Sequence, residues 1–166
     1  MIIIVFGLPG SGKSFFASRL ADKLNVKYIS SDQTRKGVHA LGKYSFEDKM
    51  TIYHLMAKNV DEDLNQGETV VIDATFHHDA MRAIFINLGK RRETPIRFIL
   101  IQATDSITKK RLSGIRQDSE ADYAVYLLIR EQFEMPEIPI LKLQSENDNI
   151  DRMTQKALEY LRGSYE

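Results

Sequence analysis

Short, mostly apolar runs alternate along this chain with segments in which apolar residues recur at helical spacing. The apolar runs have the length of buried strands, and they predict five strands, over residues 2–6, 26–29, 69–72, 96–101 and 140–143. Helical periodicity predicts helices over residues 14–24, 45–65, 79–89, 105–112, 120–134 and 148–161. Ser45 and Asp48 have the spacing of a capping box, and Asp148 is predicted to cap the last helix.

This alternation is typical of an α/β fold, in which helices cover both faces of a parallel sheet. Ligands in such sheets bind outside the carboxyl ends of the strands. Four polar groups follow predicted strands in this chain: the turn of residues 7–14, Asp32, Asp73 and the polar segment after the fourth strand. We expect them to meet at one edge of the sheet and form a site there.

Composition narrows the classes of function. The 166 residues, with 43% apolar and 28% charged side chains, fit one globular domain over residues 1–166. There is no cysteine, which excludes disulfides and thiolate metal sites. There are 23 lysine and arginine residues and 23 aspartate and glutamate residues, so the formal net charge is zero. Because proteins that bind nucleic acid are usually basic, this charge favours a small-molecule partner. The apolar run of residues 1–6 is far shorter than the roughly 20 residues of a membrane span, and we expect a cytoplasmic protein without membrane contact.

The turn after the first strand fits the phosphate-binding pattern G-x-x-x-x-G-K-[ST] completely. Its glycines let successive backbone N–H groups turn toward a phosphate, and the start of the next helix adds its dipole. A lysine in this pattern reaches the β- and γ-phosphates, and the serine hydroxyl is a ligand for Mg²⁺. The chain is therefore predicted to bind ATP and Mg²⁺, with nucleotide contacts from Gly7, Leu8, Pro9, Gly10, Ser11, Gly12, Lys13, Ser14 and Phe15.

Acidic residues after the second and third strands are the next candidates. Asp32 and Arg35 have i,i+3 spacing, so a carboxylate that accepts a hydroxyl proton would stand beside an arginine that holds a phosphoryl group. An N-cap with a surface ion pair fits the same spacing. Asp73 closes an apolar strand, as in a Walker B motif that orients Mg²⁺, although a helix-capping acid fits too. His77 and His78 follow and are predicted to be solvated turn residues.

These motifs resemble the P-loop kinases of small molecules and polynucleotides. The likeness is to stand-alone domains related to the kinase half of phage polynucleotide 5′-kinase, and more distantly to zeta-toxin-like, gluconate and shikimate kinases. It rests on residues 7–14, 31–35, 71–75 and 111–137. The resemblance implies a three-layer P-loop NTPase fold with strand order 2-3-1-4-5, in which Asp32 is the general base and Arg35 assists at the phosphoryl group. Ser31 departs from the polynucleotide enzyme, which has an arginine there.

The resemblance also implies a mobile lid over about residues 112–122. The first arginine of such a lid commonly stacks on adenine and a later one reaches the transferring phosphate, and their spacing fits Arg111 and Arg116. A solvated basic helix face is the alternative for both residues.

The combined pattern predicts a kinase that uses ATP and Mg²⁺ to phosphorylate the hydroxyl group of a small molecule. A polynucleotide or nucleoside 5′-hydroxyl kinase is one alternative, and a nucleotide-binding switch or weak ATPase without an acceptor is another. No Asn-Lys-x-Asp motif for guanine is present. Residues that bind the acceptor are expected within residues 38–65 and 75–78, and the oligomeric state is left open.

Overall fold

A computed structural model of the chain describes residues 1–113 and 119–163. Within these ranges no helix is both long and apolar enough to cross a membrane. The elements in chain order are β1 (Ile2–Phe6), α1 (Lys13–Leu24), β2 (Lys27–Ser30), α2 (Ser31–Gly37), α3 (Phe46–Asn65), β3 (Val70–Ala74), α4 (Asp79–Arg91), β4 (Ile96–Gln102), α5 (Asp105–Ser113), α6 (Ser119–Gln132), β5 (Leu141–Gln144) and α7 (Ile150–Leu161).

The strands form one parallel sheet in the order β2-β3-β1-β4-β5, which confirms the predicted order. The central strand β1 lies between β3 and β4, with Ile4 paired to Ile72 on one side and to Phe98 on the other. Because all strands are parallel, their carboxyl ends meet at one edge. The loops that follow β1, β2 and β3 therefore lie side by side.

Each face of the sheet packs against its own helices. Alternation along β1 sends Ile2, Ile4 and Phe6 to a core shared with α3 and α4. Ile3 and Val5 point to the opposite core, which is shared with α1 and α7. All five residues of β1 are at most 1% exposed, and each such burial contributes about 1.5–3 kcal/mol. The two cores cover both faces of the sheet and so position the loops at its carboxyl edge.

Several element boundaries differ from the sequence prediction. The short helix α2 is not among the predicted helices, and its start is capped by the Ser30 hydroxyl, which accepts a hydrogen bond from the backbone N–H of Gln33. Strand β3 runs on through Asp73, since that residue pairs in register with both Val5 of β1 and Ser30 of β2. The capping box of Ser45 and Asp48 is confirmed. The predicted Asp148 cap is wrong, because Asn149 occupies that position.

Candidate active site

The glycine-rich turn connects the end of β1 to the start of α1. Gly7 has a φ of 156°, and a Cβ at this position would lie 2.4 Å from the backbone oxygen of Ile101, so only glycine fits. Gly12 has a φ of 88° and is the N-cap of α1, with no side chain to cap the free N–H groups of the first turn. Those N–H groups and the positive end of the helix dipole are thus left for an anion.

The remaining residues of the turn differ in exposure. Ser11 is buried, and its hydroxyl oxygen has no hydrogen-bond partner among the described residues. Lys13 and Ser14 open α1, with Lys13 half-buried and Ser14 exposed. Phe15 is 64% exposed, because the core face of α1 begins at Phe16. This arrangement fits a phosphate cradle, with the lysine and serine on its open side.

Arg111 of α5 contacts the backbone carbonyls of the glycine-rich turn. Its Nη1 donates hydrogen bonds to the carbonyl oxygens of Gly10 at 3.3 Å and Ser11 at 3.0 Å. Its Nη2 donates to the Ser145 hydroxyl at 3.2 Å and to Asn147 Oδ1 at 3.4 Å, beyond the end of β5. Partial burial lowers the pKa of Arg111. The guanidinium thus connects the glycine-rich turn to the β5–α7 loop, a contact that no sequence pattern predicts.

Asp73 lies at the end of β3, next to β1, and is 2% exposed. Its Oδ2 accepts a hydrogen bond from the Tyr28 hydroxyl at 2.7 Å. Its Oδ1 is buried and has no partner in the part of the chain that the structure describes. Burial and the Asp73 carboxylate raise the pKa of Tyr28, an effect that the hydroxyls of Ser30 and Ser14 oppose. Tyr28 therefore stays protonated and holds one carboxylate oxygen, while the other is left free.

Asp32 and Arg35 form the expected i,i+3 pair on α2. Nη1 of Arg35 donates to Asp32 Oδ1 at 3.2 Å. The two side chains have opposite environments, since that of Asp32 is 83% exposed and that of Arg35 is 6% exposed. Ser30, not Asp32, is the N-cap, so the carboxylate is not used to cap the helix. An exposed carboxylate is thereby held in place by a buried guanidinium.

A cavity of about 290 Å³ opens beside this pair. Both regions that the sequence indicated for an acceptor contribute to it, α3 with its preceding loop and the turn after β3. Val125 and Ile129 of α6 close one side. The polar lining consists of Ser31, Asp32, Arg35, Tyr44, Lys49, Tyr53, Thr75 and His77.

His77 departs from the sequence prediction, because it is buried and not solvated. The turn around it is fixed by the backbone N–H of Phe76, which donates to the Tyr53 hydroxyl at 2.9 Å, and by the backbone N–H of Glu134, which donates to the carbonyl of His77 at 2.8 Å. Burial, helped by the charge of Lys49, lowers the pKa of His77 to about 4. The imidazole is therefore neutral near pH 7. His78 is the N-cap of α4.

The predicted site residues thus fall into three groups. The turn of residues 7–14, Asp32, Arg35 and Asp73 all lie at the carboxyl edge of the sheet, as predicted. Arg111 lies against the turn, while Arg116 lies outside the described residues, as do residues 114–118 of the predicted lid. Sequence reasoning missed Tyr28 and Lys49, since a tyrosine in a strand and a lysine in a long helix are ordinary in their elements.

Comparisons with known proteins agree with this architecture. An uncharacterized protein of Mycobacterium tuberculosis is 26% identical over 145 residues, which are 78% of this chain but only 29% of that relative's length. An adenylate kinase of Mycobacterium leprae is 27% identical over 138 residues, 75% of this chain and 76% of that enzyme. The solved structure of the APS kinase CysC of M. tuberculosis, in complex with AMPPNP and APS, superposes with a TM-score of 0.76 at 19% identity, over 97% of this chain and 96% of that one.

The family match covers most of the chain. Residues 2–136 fit the AAA_33 model, described as an AAA domain, and this span includes the glycine-rich turn, Asp32, Arg35 and Asp73. The sheet order and the glycine-rich turn are those of P-loop kinase folds. The chain therefore belongs to the AAA_33 family and has a P-loop kinase-like fold.

Proposed function

We propose that this protein is a kinase that transfers the γ-phosphoryl group of ATP to the hydroxyl group of a small molecule. The observation that carries the proposal is the cavity beside Asp32 and Arg35. A nucleotide switch or a simple ATPase needs a site for the nucleotide but no additional cavity for an acceptor. The likeness to an adenylate kinase and to an APS kinase supports transfer to a small molecule.

The glycine-rich turn would hold the triphosphate. Free N–H groups of the first turn of α1, together with its dipole, favour the phosphate charge. Lys13 lies at the start of α1 and would neutralise charge on the β- and γ-phosphate oxygens. Arg111 keeps the turn in shape through its bonds to the carbonyls of Gly10 and Ser11.

The donor set at the edge of the sheet fits Mg²⁺. The orphaned Oδ1 of Asp73 and the exposed hydroxyl of Ser14 are the hard oxygen donors that this ion prefers, and the Tyr28 hydroxyl lies within reach of both residues. Asp73 and Ser14 would hold the ion, directly or through water. When bound, Mg²⁺ neutralises charge on the β- and γ-phosphates.

Asp32 would act as the general base. As the acceptor oxygen forms its bond to the γ-phosphorus, the bond from phosphorus to the β,γ-bridging oxygen breaks and ADP leaves with that electron pair. The hydroxyl proton passes to the free oxygen of Asp32, whose other oxygen is held by Arg35. Arg35 then lies next to the transferred phosphoryl group, and Arg116 is proposed to contact it from the lid.

The test is a panel of hydroxyl acceptors with radiolabelled ATP, including a 5′-hydroxyl oligonucleotide, run on the parent protein and on Asp32→Asn. We expect transfer to drop at least about 10²-fold in Asp32→Asn, with binding of ATP nearly unchanged, because a general base contributes about 10²–10⁴-fold. Asp22→Asn is the matched control, since Asp22 is an exposed carboxylate at the far end of α1.

Three outcomes would contradict the proposal. Equal transfer by Asp32→Asn would place the base elsewhere. Loss of folding in that variant, seen by circular dichroism, would make Asp32 a structural residue. If ATP were hydrolysed at the same rate with each acceptor and without any acceptor, and no acceptor were labelled, the protein would be an ATPase and not a kinase.

A further inference from the structure

The cavity beside Asp32 has an unbalanced charge. Two cationic side chains, Arg35 and Lys49, line it together with a single carboxylate, that of Asp32, among the residues described. That carboxylate is already paired with Arg35. His77, which also lines the cavity, is neutral near pH 7. The described lining therefore carries one positive charge that no side chain neutralises.

Arg35 is buried with part of its hydrogen-bonding capacity unused. Its Nη1 donates to Asp32, and the guanidinium lies over the ring of Tyr44 at 4.8 Å. Its Nε is buried and makes no hydrogen bond with any described residue. A guanidinium that is 6% exposed and incompletely bonded is expected to take a further acceptor where one is offered.

Lys49 of α3 carries the unpaired charge. The residue is half-buried, and in the described part of the chain its ammonium group makes neither an ion pair nor a hydrogen bond. Burial, with a smaller contribution from Arg35, lowers its pKa, so the ammonium is held where its charge is unfavourable. An anion beside it would remove that penalty.

We propose that the acceptor carries an anionic group, a phosphate monoester or a carboxylate, which binds Lys49 and Arg35 while its hydroxyl faces Asp32. This inference rests on the proposed kinase function. The Tyr53 hydroxyl accepts from the backbone of Phe76 and so keeps its own proton to donate to the same anion.

A second cavity, of about 510 Å³, leaves room for the rest of the acceptor. It shares Tyr44, Lys49 and His77 with the first cavity and continues toward Phe46 and His78. Lys49 thus lies at the junction, where it reaches an anionic group whichever way the molecule extends. A neutral acceptor would leave this ammonium half-buried and unpaired.

The kinetic test compares matched acceptors that differ only in charge, such as glycerol, glycerate and glycerol 3-phosphate, or ribose and ribose 5-phosphate. We expect the anionic members to have the higher kcat/KM, and the carboxylate and phosphate arms identify which anion fits. Lys49→Met should raise KM for the preferred anionic acceptor by about 10–100-fold, the value of one charge-assisted hydrogen bond. Lys49→Arg should restore part of the loss.

Lys58→Met is the control, because Lys58 lies exposed on the same helix away from this cavity. It should leave KM for every acceptor at the parent value. Preference for the neutral acceptors, or an unchanged KM in Lys49→Met, would overturn the inference while the kinase proposal stands.

A binding experiment separates failure of the inference from failure of the kinase proposal. Inorganic phosphate is titrated calorimetrically into protein saturated with AMPPNP and Mg²⁺, so that no transfer is needed. Binding by the parent and its loss in Lys49→Met would support the anion site even if no acceptor were phosphorylated. Absence of binding, or equal binding by parent and Lys49→Met, would refute it.

Discussion

The Tyr28–Asp73 contact gives the sharpest quantitative prediction. Asp73 is 2% exposed, and the Tyr28 hydroxyl, at 2.7 Å, is its one hydrogen-bonding side chain among the described residues. Tyr28→Phe removes the hydroxyl group and keeps the aromatic ring. The variant thereby leaves a buried carboxylate without either oxygen bonded to a described side chain.

The expected cost follows from the charge and the burial of Asp73. A hydrogen bond to a charged group contributes about 1.5–3 kcal/mol, and the loss of a buried one falls at the upper end because the desolvated group is left unpaired. In an Asp73→Asn background the bond is neutral and contributes about 0.5–1.5 kcal/mol. The coupling free energy between the two positions should therefore be about 1 kcal/mol or more.

The assay is urea denaturation of the parent, both single variants and the double variant, which closes a double-mutant cycle. Tyr126→Phe is the matched control: its hydroxyl donates to Asp105 at 2.6 Å, but that carboxylate is 67% exposed and also paired with Arg130. Tyr126→Phe should lower the free energy of unfolding clearly less than Tyr28→Phe does. A second readout is the Mg²⁺ concentration needed for half-maximal AMPPNP binding, which should rise in Tyr28→Phe.

Either of two results would refute this reasoning. A free energy of unfolding in Tyr28→Phe within experimental error of the parent would show that the bond is absent in solution. A large loss that persists undiminished in the Asp73→Asn background would show that the hydroxyl acts on some other group. An unchanged Mg²⁺ requirement would separate Tyr28 from the proposed ion site.

Two further predictions concern Lys13 and His77. Lys13→Ala should weaken AMPPNP binding and slow transfer by at least about 10²-fold, as measured by calorimetry and labelled ATP, whereas the exposed Lys23→Ala on the same helix should behave like the parent. The pKa of His77 is ordinarily 6.5 and is about 4 in the folded protein. Between these two values the unfolded chain binds a proton at this imidazole and the folded protein does not. The free energy of unfolding should thus fall as pH drops from 6.5 to 4, by up to about 3 kcal/mol, and His77→Gln should flatten this slope.

The strands could be predicted because their signals are local and strong, whereas their order was implied by the resemblance to P-loop kinases. Five apolar runs and a complete phosphate-binding turn leave few alternative topologies. Boundaries were less predictable where tertiary pairing decides them. Asp73 reads as a strand terminator, yet its backbone pairs on both sides, so β3 continues through it. Helix α2 has only 7 residues and lacks a periodic pattern, and its cap, Ser30, is itself the last residue of a strand.

Parts of the site depend on contacts between distant segments and so escape sequence reasoning. The bonds from Arg111 to Gly10 and Ser11 span about a hundred residues and exist because α5 packs behind the turn. His77 is buried, and its carbonyl accepts a hydrogen bond from the backbone N–H of Glu134, which lies just beyond α6 and 57 residues away in sequence. Lys49 lies on a helix, where lysine is normally solvated, yet it lines the cavity beside Asp32.

The two carboxylates at the sheet edge differ in a way that favours separate chemical roles. Asp73 is buried, and Tyr28 immobilises one of its oxygens, which suits an ion ligand that must stay charged and fixed. Asp32 is exposed at the mouth of a cavity, and a single contact with Arg35 orients it without enclosing it. A group that takes up a proton in each cycle must also release it to water, and Asp32 has that access. This contrast supports the proposal that Asp32 is the base and that Asp73 holds the ion.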